Sequence, residues 1–420
     1  MKAMIVGRAI CGAGGAGMYT GVMTFLSVLT AEEERVLYLG IPGLTWGAAT
    51  VLGPIIGGAF TESGAGWRMA FYLNLFIGGL FAPVTMFLIP SRDPRPGARA
   101  LDRVRNLDWV GLVLMSGIYV SGLMAISFGG VLYPWNSGPT IGLLVVGGTL
   151  TVVYWVQQAC CFGVVSDCRT IPFEFLRSVT LMYAFLVEAC AATAAFVSIS
   201  FLPLYFQFVR GDSALFAGVR LLPFVVFLVL MIVSTGWIAT RIGRMTPLIL
   251  LGSALALAGG ALMYTVDETT EVAKVYGYTI LLGAGAGMYL QLPFALAQTC
   301  TKPALIPVAV GFISWAQLAA PAVTVAVSNA MFLNKATTNV AAAIPQASGE
   351  DVSRIIAGVD PAYLGRLSAA TRASIVSGIV KAMRDVYVLV IVAGALSLLV
   401  TVLMLVRGDK KLNGRALMAA

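Results

Sequence analysis

The chain has 420 residues, of which 59% are hydrophobic and only 11% are charged. A soluble domain carries about 25% charged residues, so this composition excludes a water-exposed globular protein and predicts an integral membrane protein in a lipid bilayer. The net charge of +8 does not indicate nucleic-acid binding, because Lys and Arg lie in loops between apolar runs, where membrane orientation explains them. The apolar runs are long and continuous, which favours helices over a barrel.

The sequence lacks the residues that several classes of chemistry require. Histidine is absent, which removes the commonest general base and metal ligand. The six cysteines show no zinc-ligand spacing, and none falls in a segment expected outside the cell. No Walker motif, no H-E-x-x-H and no pair of intramembrane carboxylates occurs. We therefore expect no metal, no cofactor, no ATP hydrolysis and no enzyme, and an ion gradient remains as the energy source.

Eleven apolar segments are long enough to span a bilayer, which takes about 20 residues. In chain order they cover 4–29, 36–60, 69–90, 108–129, 139–162, 179–206, 217–240, 246–266, 276–299, 306–332 and 385–406. Two connections stand out, the Arg-rich 91–107 and the long 333–384. Basic residues of the short loops concentrate on the side of 91–107, which predicts that this loop and the tail 407–420 are cytoplasmic and that 333–384 is extracellular.

The first span carries Arg8 among closely spaced glycines. A guanidinium at this depth should face a cavity or a partner, or else it snorkels to the membrane surface. The segment Gly15–Tyr19 recurs as Gly285–Tyr289 in the ninth span. Such self-similarity is typical of transporters built from duplicated halves, although Gly-rich helices also match by chance.

The second span combines a proline with a spaced set of glycines. Pro54 removes a helical hydrogen bond and is expected to kink the helix. Gly53, Gly57 and Gly58 would form a smooth face beside the kink, and Gly47 precedes them. The pattern predicts a tight apolar seam or hinge.

Glu188 is the one carboxylate clearly inside a predicted span. It is a candidate for proton coupling, together with Arg8, or for binding a cationic substrate; alternatively it hydrogen-bonds a neighbouring helix. Other polar side chains in the spans could line a substrate pocket or bond between helices. These pocket candidates are Asn74, Tyr205, Gln207, Gln291, Gln298 and Gln317. Aromatic residues such as Trp46 could stack on a flat ligand or belong to an interfacial belt.

These motifs resemble the major facilitator superfamily. The run from Gly7 to Gly17 resembles its fourth-helix motif R-x-x-Q-G-x-G, with Cys11 in place of Gln, and 47–58 resembles the fifth-helix antiporter motif. The stretch 67–79, which begins Trp67-Arg68, is similar to a segment of the fourteen-helix drug:proton antiporters, with Phe76 in place of Pro. Leu107–Gly111 resembles the start of that branch's first extra helix.

The resemblance covers nearly the whole chain and implies an all-α major facilitator fold of about eleven transmembrane helices, helices four to fourteen of a fourteen-helix pattern, with the first three absent. It divides the chain into seven segments. They are 1–90, the remaining three helices of the N-terminal bundle; 91–107, the cytoplasmic loop; 108–162, two extra linker helices; 163–332, five helices of the C-terminal bundle; 333–384, the extracellular loop; 385–406, the last helix; and 407–420, the cytoplasmic tail.

The implied function is export of a small organic compound, such as a toxin, drug or secondary metabolite, in exchange for protons. The branch implies a fungal multidrug or mycotoxin pump that acts by alternating access. We expect a monomer in the plasma membrane, or in a vacuolar or vesicle membrane. Two alternatives remain open: a proton-linked uptake permease of the same fold, and a truncated product that transports nothing.

Overall fold

The chain folds into sixteen α-helices within the residues that the computed structural model describes, which are 2–30, 32–64, 66, 68–89, 99–164, 169–356 and 368–407. The helices are α1 Lys2–Leu29, α2 Glu32–Glu62, α3 Met69–Phe87, α4 Ala100–Arg105, α5 Trp109–Phe128, α6 Gly138–Cys160, α7 Phe173–Arg177, α8 Val179–Arg210, α9 Ala214–Val219, α10 Leu222–Ile242, α11 Thr246–Tyr264, α12 Val272–Tyr289, α13 Leu292–Thr299, α14 Ile306–Ala343, α15 Gly349–Ile356 and α16 Ala369–Arg407. Across these ranges no β-strand forms.

Eleven stretches of this helical structure are long and apolar enough to cross a membrane, by length and composition. This confirms the all-α membrane fold and the number of spans that the sequence predicts. Trp67, part of the 91–107 loop and the tail beyond residue 407 lie outside the described residues. The grouping of the spans into bundles and linker helices stays a prediction.

Local sequence explains where several helices begin and end. Asp108 caps α5, because its side chain accepts a hydrogen bond from the backbone N–H of Gly111 at 2.8 Å. Helices α8 and α10 end at Gly211 and Gly243, whose φ angles of 67° and 65° lie in the left-handed region that glycine tolerates. These stops set the lengths of two helices that line the centre of the molecule.

The ninth predicted span, 276–299, is broken in two. Helix α12 ends at Tyr289, and α13 begins at Leu292, with Pro293 in its first turn. Proline has no backbone N–H and disfavours the helical conformation of the residue before it, so a continuous helix through this point is costly. The break leaves Gln291 between the two helices.

The long connection predicted for 333–384 is wrong in its extent. Helix α14 continues to Ala343, and α16 begins at Ala369 rather than at 385. Hydropathy marks where an apolar run ends, but the polar turns beyond it stay helical because they bind each other. The Lys335 Nζ lies 2.6 Å from a carboxylate oxygen of Asp385.

The C-terminal part of the chain holds most of the buried core. Helix α8 packs against α14, α16, α12 and α13, while α11 packs against α12 and α16. By contrast, α3 buries none of its residues, and α1 buries only Met23 and Ser27. Apolar faces that no helix covers suit contact with lipid tails.

Helices α5 and α6 pair with each other, and hydrogen bonds attach them to the C-terminal part at three points along α5. At one end, Asp108 accepts hydrogen bonds from Gln158 Nε2 at 2.6 Å and from the Thr170 hydroxyl at 2.8 Å. Farther along α5, the Trp315 indole donates to the Tyr119 hydroxyl at 2.8 Å. At the other end, the Asn334 amide donates to the Gly129 carbonyl at 3.4 Å.

The Asp108 carboxylate is charged at neutral pH although it is buried. Burial pushes its pKa upward, but the hydrogen bonds from Gly111, Gln158 and Thr170 outweigh burial and hold the pKa below its usual value. A carboxyl whose pKa is lowered by folding stabilises the fold above its unfolded pKa, and this stabilisation is lost as the pH falls through the folded pKa.

Asp108→Ala removes both the helix cap and these acceptors, so we expect it to lower the free energy of unfolding by about 2 kcal/mol at neutral pH. Chemical or thermal unfolding in detergent measures the difference. The matched control is Asp102→Ala, a change on the exposed surface of α4. The difference in the free energy of unfolding between wild type and Asp108→Ala should become smaller in strong acid. A difference that stays constant there contradicts the role of the carboxylate.

Candidate functional site

A cavity of about 270 Å³ lies where the N-terminal helices meet the C-terminal ones. Helices α1 and α2 form one side, and α8, α14 and the break between α12 and α13 form the other. Its lining consists of Gly12, Gly15, Ala16, Tyr19, Pro42, Trp46, Phe196, Leu290, Gln291, Gln317 and Leu318. No Lys or Arg occurs among these lining residues.

The walls of the cavity are largely apolar and aromatic. Trp46 of α2 and Phe196 of α8 pack against each other in the wall, with ring centroids 5.2 Å apart and planes tilted by 52°. Gly12 and Gly15 leave the α1 wall without side chains, which makes room for a ligand. Flat surfaces of this kind bind planar molecules through apolar contact and stacking.

Three polar side chains converge at one end of the cavity. The Tyr19 hydroxyl donates a hydrogen bond to Gln317 Oε1, so this bond joins α1 to α14. The Gln291 amide, held in the helix break, also lies beside the Tyr19 hydroxyl. Gln291 Oε1 has no hydrogen-bond partner among the described residues. That oxygen is also buried, so a donor reaches it only when the side chains around it rearrange.

Glu188 of α8 lies behind this polar end. Its side chain is completely buried, and neither carboxyl oxygen has a hydrogen-bond partner within the described part of the chain. Gln317 is the polar side chain beside it, and the carboxyl is close enough to act on the hydroxyls of Tyr19 and Tyr289. Burying a carboxylate without a cation is expensive, so a carboxyl here is suited to hold a proton.

The structure brings only part of the predicted set together. Of the six pocket candidates, Gln291 and Gln317 line the cavity. Tyr205 lies elsewhere, because its hydroxyl donates to the Asp267 carbonyl at 2.9 Å. The other three also lie outside the lining: Gln298 is buried in α13, Gln207 is half-buried in α8, and Asn74 is exposed on α3. Hydropathy shows that a polar residue lies in a span but not which way it faces.

Arg8 does not reach the cavity. It is exposed on α1, where its guanidinium lies 5.9 Å from the centre of the Phe71 ring of α3. A role in proton coupling therefore stays a prediction for Arg8, while the burial of Glu188 supports that residue as the better candidate.

The glycines of α2 divide into two groups. Gly47 packs so tightly against Val229 of α10 that a Cβ atom added to the glycine would clash. Gly58 lies against Leu215 of α9, and a Cβ atom added to Gly58 would lie 3.4 Å from the Cβ of Leu215. Gly53 and Gly57 have no described atom within 4 Å of a Cβ position. About three helical turns separate Gly47 from Gly58, whereas Gly53 and Gly57 point roughly a quarter to a third of a turn away.

Helices α2 and α10 therefore form a close seam, but Gly53 and Gly57 do not face it, and their part in a seam or hinge stays a prediction. Gly43 extends the packed side, because a Cβ there would lie 3.0 Å from Ile232 and 3.6 Å from Gln291. The side chain of Pro54 lies outside the described residues.

Sequence reasoning missed several residues of the cavity lining, among them Tyr19 and Phe196. Tyr19 closes the repeated Gly-Ala-Gly-Met-Tyr segment, and that repeat is the signal that could have singled it out. Phe196 stands in an alanine-rich run with no distinguishing neighbour. Only the packing of α8 against α2 identifies Phe196 as part of the cavity.

Comparison with known proteins gives a consistent set of matches. The profile of the Major Facilitator Superfamily matches residues 1–325. The MFS-type transporter pgmG of Aspergillus terreus is 45% identical over 404 residues, which are 96% of this chain and 72% of the relative. Efflux pump alnA of Emericella nidulans is 42% identical, over 96% of this chain and 73% of the relative. Efflux pump patC of Aspergillus clavatus is 40% identical, over 94% and 73%.

Gly47→Leu should disrupt the seam, because the new side chain must displace Val229 or separate α2 from α10. Overpacking of this kind costs about 1–3 kcal/mol, and we expect a corresponding loss of folded protein in detergent. Gly53→Leu is the matched control on the open side of the same helix and should stay within about 0.5 kcal/mol of wild type. Equal effects of the two substitutions on thermal unfolding would show that the packed side of α2 does not stabilise the molecule.

Proposed function

The chain belongs to the Major Facilitator Superfamily, and on that premise we propose that it exports a small organic compound in exchange for protons. The observation that carries the proposal is the cavity between the two groups of helices, with a fully buried carboxyl directly behind it. Alternating access requires a binding site at the contact between two parts that move against each other. The cavity meets this requirement.

The lining supports an uncharged, flat substrate that carries hydroxyl or carbonyl groups. Trp46 and Phe196 offer apolar faces, while Tyr19, Gln291 and Gln317 offer donors and acceptors. The described lining contains no cation that could neutralise an anionic substrate, and Glu188 nearby would disfavour one. Export rather than uptake is supported by the relatives named efflux pumps.

Glu188 is the residue best placed to take up the proton. A charged carboxylate in this position has no cation among the described residues to pair with, so closing the cavity favours the protonated form. When the cavity opens to water, the carboxyl can release its proton. Exchange of a proton for the substrate in each cycle would then drive export, with Glu188 outside the substrate's own contacts.

The seam between α2 and α10 supports the movement. Small residues let two helices approach closely and shift against each other with few interlocking side chains. Gly43 and Gly47 give α2 such a face opposite Ile232 and Val229. We further propose a monomer in the plasma membrane, with the C-terminus in the cytoplasm.

Glu188→Gln should reduce proton-driven export about tenfold, because the amide cannot bind and release the proton. Proteoliposomes that contain methylumbelliferyl glucoside, an uncharged, flat and slowly permeating compound, measure this as release of the dye under a pH gradient that is acidic outside. Glu268→Gln is the matched control, since Glu268 is an exposed carboxylate in the loop after α11.

A proton ionophore should abolish the same release in the wild type. Release that continues unchanged with the ionophore contradicts proton coupling. Accumulation of the dye, rather than its release, contradicts the export direction.

A further inference from the structure

We propose that Gln317 is a positioning residue that relays the protonation of Glu188 to the cavity through Tyr19 and Gln291. The proton and a hydroxyl-bearing substrate would then exclude each other without sharing a binding site. This inference rests on the proposed function, which it deepens by saying how the two partners exclude each other.

The four side chains form a continuous chain from the buried carboxyl to the cavity. Glu188 neighbours Gln317, the Tyr19 hydroxyl donates to Gln317 Oε1, and Gln291 lies beside that hydroxyl. Gln317, Tyr19 and Gln291 line the cavity, whereas Glu188 does not. Only Tyr19 comes from the N-terminal helices, so the Tyr19–Gln317 hydrogen bond crosses the contact between the two parts.

The directionality of an amide makes such a chain sensitive to protonation. A carboxylate only accepts hydrogen bonds, so it favours the Gln317 orientation that presents Nε2 to Glu188 and Oε1 to Tyr19. This is the orientation that the Tyr19 contact shows. Tyr19 then donates its only hydroxyl proton to Gln317, and Gln291 Oε1 stays without a partner, as observed among the described residues.

Protonation reverses each donor and acceptor in turn. The protonated Glu188 donates its O–H to Gln317 Oε1, so the amide turns and presents Nε2 to Tyr19. The Tyr19 oxygen now accepts, and its hydroxyl proton is free to donate to Gln291 Oε1. The acceptor that a substrate hydroxyl would use is thereby occupied, and a protonated carboxyl favours release of the substrate.

Few other groups compete for control of this carboxyl. The titratable side chains that face it are Tyr19 from α1 and Tyr289 from α12, with Cys190 on its own helix close to Tyr289. The Tyr289 hydroxyl has no hydrogen-bond partner among the described residues. No described Lys or Arg pairs with Glu188, so Gln317 is the neighbour able to respond by hydrogen bonding.

Infrared difference spectroscopy on the full chain in lipid nanodiscs tests the relay without any ligand. Acidification should produce the carbonyl band of a protonated carboxyl, and this band should vanish in Glu188→Gln. With ring-labelled tyrosine, the same acidification should shift one tyrosine C–O band, because Tyr19 changes from donor to acceptor. We expect this tyrosine shift to be lost in Tyr19→Phe and in Gln317→Met.

Tyr183→Phe is the control, because the Tyr183 hydroxyl is also buried in a helix but bonds Thr401 at 3.2 Å. It should keep both bands. Gln317→Met should keep the carboxyl band while it loses the tyrosine shift, which separates a relay from simple misfolding.

Two results would overturn the relay, and they differ in their meaning for the transporter. A carboxyl band with a tyrosine shift that survives Gln317→Met, or with no tyrosine shift at all, rejects the relay and leaves proton exchange at Glu188 intact. A wild type without any band that depends on Glu188 rejects both the relay and the proposed proton coupling.

Discussion

A carboxyl group buried without a partner is the feature around which the centre of this molecule is arranged. Glu188 has no solvent exposure and no hydrogen bond to its oxygens within the described residues. A charge in that position costs several kcal/mol, so burial favours the protonated, neutral form of the carboxyl over the charged form. The surrounding side chains are amides and tyrosines, which can reorganise around either form. A lysine or an arginine there would hold the carboxyl in its charged form.

The cavity places this carboxyl next to a space that a flat molecule could fill. Trp46 and Phe196 form its aromatic walls, and the gap between α12 and α13 supplies the amide of Gln291. The break itself follows from Pro293, because proline has no backbone N–H to donate to the preceding turn of a continuous helix. A local feature of the sequence thereby gives a functional side chain its position.

The packing also explains which parts can move. Helix α5, which is paired with α6, is bound to the C-terminal part at Asp108, Tyr119 and Gly129, so the two helices form one unit with that part of the molecule. Between the N-terminal helices and this unit, the closest packing is the glycine face of α2 against α10. The Tyr19–Gln317 hydrogen bond is a polar link across the same boundary. Motion along the seam would make and break few specific bonds.

The sequence predicts much of the fold and less of the site. The eleven spans follow from apolar length alone, and Glu188 stands out because a carboxylate within a span is rare. The helical extensions at Lys335 and Asp385 escape hydropathy, because polar turns held by an ion pair resemble a loop. The motif marks Gly53 and Gly57 as small residues of a seam or hinge, but not that their angle around α2 points them away from α10. Tyr19 and Phe196 belong to the cavity through contacts between helices far apart in the chain, which no local pattern encodes.

The most direct test of proton exchange is to drive the protons with the substrate instead of the reverse. Proteoliposomes would contain a pH-sensitive dye and a concentration gradient of methylumbelliferyl glucoside, with no pH gradient at the start. The account predicts that outflow of the glucoside drives protons in the opposite direction, and that Glu188→Gln abolishes this proton movement. Outflow of the glucoside at the wild-type rate with no accompanying change in internal pH would contradict it.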